Sequence, residues 1–212
     1  MSRKRRLTKE KLSRKAAHKP LKTKFFVFSE GAVTEPLYLR SIARCFSEAT
    51  ISIVQTGGAP RSLLEWATNY VDQKKSPVSE SDQVWIIFDR DEHPHVAEVL
   101  AQHGAGKASI AYSNPCFELW LIYHFSECNG PLSRDEAKRK LAGLTDSYCS
   151  KKKKLLSAEC FVPLLSEARK RSRKSVADRA AEGAALGCPC STMFELVDAL
   201  ESTNPPTSSS TG

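Results

Sequence analysis

The run Gln83-Val-Trp-Ile-Ile-Phe88, held between Asp82 and Asp89, restricts the fold more than any other part of the chain. Five apolar residues in a row are too few for a buried helix and too uniform for a strand with one wet face. They fit a strand covered on both faces, as in parallel sheets flanked by helices. Lys24-Phe-Phe-Val-Phe-Ser29, Ile51–Val54 and Ala108–Tyr112 are likewise short and rich in apolar residues and predict three more strands.

Helical spacing fills the intervals. Glu35 to Phe46 places Leu37, Tyr38, Ile42 and Phe46 on one face, with Thr34 as a cap and Pro36 in the first turn. Gly57-Gly58 ends the second strand. Pro60 then opens a helix whose face is Leu63, Leu64, Ala67, Tyr70 and Val71. Val96–Gln102 is a short helix, and Phe117–Phe125 is too apolar for a surface one. Ser133-Arg-Asp-Glu136 has the form of a capping box. Leu155–Arg173 and Met193–Leu200 are helical in pattern. The alternation predicts an α/β fold: a mainly parallel four-stranded sheet flanked by helices, joined by right-handed crossovers, with a helical C-terminal extension. The expected organisation is a basic disordered arm over 1–23, an α/β core over 24–130, the helical extension over 131–202 and a disordered tail over 203–212.

Charge is unevenly spread. The net charge of the chain is +8, but residues 1–24 carry eleven Lys and Arg against Glu10 alone, a net +10. Residues 25–150 are net −5, and residues 151–212 are net +3. A basic arm attracts phosphate through counterion release, and an acidic centre suits a divalent cation. No apolar run approaches the roughly 20 residues of a membrane span, and the basic N-terminus lacks the apolar stretch of a secretory signal. A cytoplasmic protein is expected. The seven cysteines are scattered and odd in number, unlike a disulfide framework. Cys188-x-Cys190 has no matching pair, and His93 and His95 flank a proline, so zinc spacing is missing.

Ligands in such sheets sit at the carboxyl ends of strands, where this chain places acids. The first strand ends in Ser29-Glu30-Gly31, the third in Asp89-Arg90-Asp91. In an extended segment, residues i and i+2 face the same way, so Asp89 and Asp91 can share one hard cation. Mg²⁺ needs two or three carboxylates, with water and phosphate oxygens completing its shell. Glu30 adds a third carboxylate at the same rim, and Gly31 leaves room for a phosphate against the backbone. Unpaired, these acids repel one another, so a cation or a basic partner such as Arg90 or Lys107 must compensate them. After the fourth strand, Ser113 and Asn114 reach the same rim, where the Asn114 amide can orient a carboxylate or a phosphate. Glu118 lies in an apolar helix, either metal-bound or on a solvated stripe. His124 reads as a core histidine. The basic segments Arg3, Lys4, Arg5, Arg6, Lys151, Lys152, Lys153 and Lys154, with Arg171 and Arg173, are the candidate nucleic-acid contacts. No aromatic residues are interleaved with them, so base stacking is not implied there.

Four segments together resemble one family. Ser29-Glu-Gly-Ala-Val-Thr-Glu-Pro-Leu-Tyr38, Phe88-Asp-Arg-Asp-Glu92, Ser113-Asn-Pro-Cys-Phe-Glu-Leu-Trp120, and Pro189-Cys-Ser-Thr-Met193 followed by Glu195-Leu-Val197 are similar in order and spacing to the RloB-like proteins. The resemblance spans roughly residues 24–200 and implies a TOPRIM-like, Rossmann-like fold, with Glu30 as the TOPRIM glutamate and Asp89 and Asp91 as its D-x-D pair. It implies Glu35 and Glu118 as ligands of a second metal. Glu35, however, stands five residues after Glu30 where four is commoner, and is otherwise a first-turn acid favoured by the helix dipole. It also implies phage-defence loci and an ABC-type ATPase partner. The expected activity is that of a Mg²⁺- or Mn²⁺-dependent endonuclease on DNA or RNA with Glu30, Asp89 and Asp91 catalytic. The alternatives are a non-catalytic nucleic-acid or partner-binding module with a structural carboxylate cluster, and nucleotidyl transfer.

Overall fold

The structure, a computed structural model, describes residues 22–55, 57–73, 81–90, 93, 95–102, 106–149, 154–155 and 160–204. Arg3, Lys4, Arg5, Arg6, Asp91, Lys151, Lys152 and Lys153 lie outside the described residues, and of Lys154 only the backbone is described.

The elements run β1 (Thr23–Ser29), α1 (Thr34–Ile42), β2 (Ala49–Gln55), α2 (Pro60–Gln73), β3 (Gln83–Asp89), α3 (Val96–Leu100), β4 (Ser109–Asn114), α4 (Glu118–Phe125), α5 (Arg134–Leu144), β5 (Tyr148–Cys149), β6 (Lys154–Leu155), α6 (Leu165–Ala181), β7 (Cys190–Ser191) and α7 (Met193–Glu201). β1 pairs in parallel with β2 on one side and β3 on the other, and β3 pairs in parallel with β4. The four expected strands are therefore present and mutually parallel. The sheet has a fifth, because β7 adds antiparallel to β4 in the order β2-β1-β3-β4-β7. Two residues are too short to show a period, which is why the sequence does not announce β7.

Alternation along the strands builds two cores. Phe25 and Val27 of β1, Trp85 and Ile87 of β3, and Ala111 of β4 face the larger one, shared with α1, α4, α5 and α7. Phe26, Phe28, Val84, Ile86, Phe88, Ile110 and Tyr112 face the smaller one, with Leu63, Leu64 and Ala67 of α2 and Val96 and Val99 of α3. The apolar run of β3 is buried on both faces because each parity meets its own helical layer.

Local chemistry sets most boundaries. Gly57 and Gly58 take φ of 57° and 113° between β2 and α2, a backbone that residues with a Cβ seldom adopt. Ser133 caps α5 with both capping-box bonds present. Three expectations are corrected. Thr34 is the first helical residue and not the cap, which is Val33 without a side-chain bond. α1 ends at Ile42 and passes into a short 3-10 turn, Ala43–Cys45, instead of continuing to Phe46. The expected helix Leu155–Arg173 begins only at Leu165 and runs on to Ala181, while Leu155 belongs to the β5–β6 hairpin. A Lys- and Leu-rich stretch satisfies a helical pattern, but pairing with Tyr148–Cys149 overrides that weak local preference. No helix among the described residues is long and apolar enough to cross a membrane.

Candidate active site

Asp89 is the last residue of β3 and continues the parity of Trp85 and Ile87, so it faces the larger core. That face is covered by α1, α4 and α5, and each presents a charged side chain to the strand ends. α1 brings Glu35, α4 brings Glu118 and α5 brings Arg134. Glu30 follows β1, and its backbone N–H donates to the Ile87 carbonyl at 3.2 Å. Glu30 and Asp89 therefore stand at the carboxyl ends of adjacent parallel strands, and not at opposite ends of the sheet.

The acids are close enough to act on one another. Burial pushes Asp89 well above the usual carboxylate range, and the charges of Glu35, Glu118 and Glu30 add to it, with Arg134 opposing. Burial likewise pushes Glu35 up to about 7, helped by the charges of Glu118 and Glu30 and opposed by its own backbone hydrogen bond and by Arg134. Glu35 is 9% exposed, which decides between the two readings of it: it turns inward instead of serving as a solvated first-turn acid. Its carboxylate lies over Gly31, where a Cβ would come within 1.9 Å of Oε2. The close approach that Gly31 permits is made by this side chain of the same chain, where a phosphate was expected.

Glu118 is also buried, and its Oε1 accepts a hydrogen bond from the Tyr148 hydroxyl at 2.6 Å, so it is not on a solvated stripe. The Arg134 guanidinium donates to Asp89 Oδ2 at 3.0 Å, and His93 Nε2 lies 2.9 Å from Glu30 Oε1. The other oxygens of the two strand-end acids, Glu30 Oε2 and Asp89 Oδ1, are buried and have no hydrogen-bond partner among the described residues. Orphaned carboxylate oxygens are costly in a folded interior, and their hard-oxygen chemistry fits a divalent cation of the Mg²⁺ class. Among the described residues, no three His, Cys, Asp or Glu side chains are already gathered as a metal-holding group. Arg134 and Tyr148 occupy part of the donor set.

The remaining expected site residues are used otherwise. The Ser113 and Ser191 hydroxyls lie 3.0 Å apart, tying β4 to β7, and the Asn114 amide donates to the Leu186 carbonyl at 3.1 Å. Neither orients a carboxylate. Arg171 donates to the carbonyls of Tyr123 and His124, closing the end of α4, and Arg173 pairs with Asp198 and stacks on Phe194. Lys107 pairs with Asp72, away from the acids. Arg134, His93 and Tyr148 are the site residues that sequence reasoning missed. One signal for Arg134 was available: a cation as the first residue of a helix opposes the helix dipole and needs a carboxylate to hold it there.

The match of a family model decides the relationship: the RloB-like protein model covers residues 25–200. The chain belongs to the RloB-like family. All four family-like segments of this RloB-like chain fall inside that match, and so do Glu30, Glu35, Asp89, Glu118 and Arg134. Neither a comparison with curated proteins nor one with solved structures returns a match.

Proposed function

We propose that this RloB-like chain is a metal-dependent endonuclease that hydrolyses phosphodiester bonds of DNA or RNA. The observation that carries the reading is the pair of buried oxygens, Glu30 Oε2 and Asp89 Oδ1, on adjacent strand ends and without a hydrogen-bond partner among the described residues. Glu30, Asp89 and Asp91 would hold Mg²⁺ or Mn²⁺, with Glu35 and Glu118 available to a second ion. When bound, such an ion polarises the scissile phosphate and makes a water acidic enough to attack. The chain's own groups do the rest. Arg134 turns from Asp89 to a phosphate oxygen and neutralises charge that grows there. Glu30 serves either as that ligand or instead as the base that takes the proton of the attacking water while the P–O bond to the leaving oxygen breaks, and His93, in contact with Oε1, steadies its carboxylate. Family membership supports extending the proposal to anti-phage defence, with this chain as the effector beside an ABC-type ATPase.

A second reading has its own observation. The Arg134–Asp89 pair and the Tyr148–Glu118 hydrogen bond compensate two of the acids without any ion, as in a binding module with a structural carboxylate cluster. Incubating labelled single-stranded and duplex DNA and RNA with the protein separates the two, in Mg²⁺, Mn²⁺ or EDTA, alone and with the ATPase. The nuclease reading expects metal-dependent cleavage that Asp89→Asn abolishes. No cleavage of any substrate under any of these conditions sinks it and leaves the binding module.

A further inference from the structure

The β5–β6 hairpin lies outside the main sheet and outside all four family-like segments, yet it reaches the acids. Tyr148 of β5 is 5% exposed, and its hydroxyl donates to Glu118 Oε1 at 2.6 Å. We propose that Tyr148 is a positioning residue: its hydroxyl holds Glu118 Oε1 and leaves Oε2 to a second divalent cation. This rests on the metal-dependent reading and goes beyond it, because it names a residue outside the acids that decides how tightly the second ion is held.

Three observations carry it. The first is what the bond supplies and what it does not. Glu118 opens α4 beside buried Phe117, Leu119, Trp120 and Leu121, where a carboxylate needs partners. A hydroxyl gives one hydrogen bond and no charge. It satisfies one oxygen of Glu118 and leaves the charge standing, where it acts on Glu35 and Asp89. Burial pushes the Tyr148 hydroxyl above its ordinary value, and the bond to Glu118 pushes it further, so the proton stays on Tyr148 and the hydroxyl stays a donor. The second observation is a pattern. Glu30 meets His93 at Oε1, Asp89 meets Arg134 at Oδ2, and Glu118 meets Tyr148 at Oε1. For Glu30 and Asp89 the other oxygen is buried without a hydrogen-bond partner among the described residues. Carboxylates that ligate a metal are commonly held in this way, by donors that do not touch the ion yet set its affinity.

The third observation is where the hairpin sits. β5 lies against α5, which carries Arg134, and β6 lies against α1, which carries Glu35. Tyr148 belongs to the larger core and bonds the first residue of α4. One small hairpin thus touches all three helices that bring charged groups to the strand ends. Its entry is fixed locally: the Ser147 N–H donates to Thr145 Oγ1 at 3.1 Å, and the Tyr148 N–H donates to the Thr145 carbonyl at 3.5 Å. Pairing of Tyr148 with Leu155 holds the strand from its other side. The backbone of Tyr148 is therefore anchored, and so is the point from which the hydroxyl reaches Glu118.

The test titrates the full chain with Mn²⁺ and follows the free ion by electron paramagnetic resonance. The unaltered protein should take up two ions. Tyr148→Phe keeps the ring and removes the hydroxyl, and Tyr148→Met is a second variant that lacks it; melting in EDTA selects whichever folds. Either should hold the first ion as before and the second about tenfold more weakly or worse. Glu118→Gln should weaken the same ion, and the double variant Tyr148→Phe/Glu118→Gln should bind no more weakly than Glu118→Gln alone, because the hydroxyl acts through that carboxylate. Unchanged affinity without the hydroxyl, an equal loss of both ions, or additive losses in the double variant overturns the proposal. Cleavage, assayed in parallel, separates it from the reading it rests on. Protein whose second ion depends on Tyr148, yet which cuts nothing, refutes the nuclease and keeps the positioning role. Protein that cuts while holding a single ion, or two that ignore Tyr148, refutes the positioning role alone. Protein that takes up no Mn²⁺ refutes both.

Discussion

Glu35 and Gly31 show how far one missing Cβ reaches. Because Gly31 has none, the Glu35 carboxylate packs onto the backbone beside Glu30 and stays out of water. The helix dipole at the start of α1 favours that charge, but burial wins and pushes the group up to about 7. At pH 8 the carboxylate is largely ionised against its surroundings, so Glu35→Gln should stabilise the metal-free protein, by about 1–3 kcal/mol in urea unfolding with EDTA present. Gly31→Ala should push the carboxylate aside and disturb the packing beneath it, destabilising by about 1 kcal/mol. A loss of stability in Glu35→Gln would mean that a cation of the chain already neutralises the acid. At this scale the sequence was legible wherever an acid ended a strand, because strand parity and sheet topology together place such residues. Tyr148 was not legible, and of Arg134 only its need for a carboxylate was, since the partner each one meets depends on which helix packs over which strand end.

The helices over the larger core carry the next two predictions. His124 of α4 is buried, with Nδ1 3.0 Å from the Trp120 carbonyl and Nε2 3.2 Å from the Tyr38 hydroxyl. A neutral ring satisfies both, donating from Nδ1 and accepting at Nε2. Burial lowers its pKa from 6.5 to about 4, two backbone hydrogen bonds oppose that shift, and the Arg171 charge assists it. The unfolded chain therefore binds a proton between pH 6.5 and 4 that the native one refuses. The neutral ring's contribution is whole above pH 6.5 and falls by about 3 kcal/mol as the pH drops to 4. Urea titrations of the unaltered protein and of His124→Asn from pH 8 to pH 4 read this as a difference, and parallel curves would contradict it. In α5, the Ser133–Glu136 capping box fixes where the helix starts and so where Arg134 stands. Ser133→Ala should cost about 1 kcal/mol. Arg134→Ala should cost about 1–2 kcal/mol, because buried Asp89 is deprived of the guanidinium that faces it, while Arg134 itself is partly exposed. Mg²⁺ should restore part of the second loss and none of the first, as melting temperatures would show. Capping boxes and long apolar periods were legible in the sequence. The two-residue strands β5, β6 and β7 were not, because pairing alone defines them.

Across the whole molecule the structure changes the reading of one basic run. The basic residues of α6 are largely paired within the chain: Arg169 pairs with Asp198 at 2.6 Å and with Glu201 at 2.5 Å, Arg171 closes α4, Arg173 stacks on Phe194, and Lys174 pairs with Asp178 at 2.9 Å on the surface. A run of like charges reads from sequence as an open surface, because the acids that answer it come from α7 and from its own helix. The densest positive charge in the sequence is the segment before β1, where deletion of residues 1–22 removes ten Lys and Arg and one acid. That deletion should weaken nucleic-acid binding and flatten its dependence on salt, since the shortened chain neutralises fewer phosphates and so displaces fewer counterions. Arg171→Ala and Arg173→Ala should instead lower stability and leave the salt slope alone. Asp89→Ala should do the reverse of the deletion. It removes a carboxylate from the rim and with it the proposed metal-dependent chemistry, yet lessens repulsion of phosphate, so binding is kept or strengthened. Cleavage by the deletion variant should persist at saturating substrate, because the proposed site lies on β1 and β3 and not on the segment removed. Salt titrations of binding on all four variants, run beside a cleavage assay, check each limb. An unchanged slope after the deletion would assign the segment to a protein partner, and full-rate cleavage by Asp89→Ala would move the active site elsewhere in the chain.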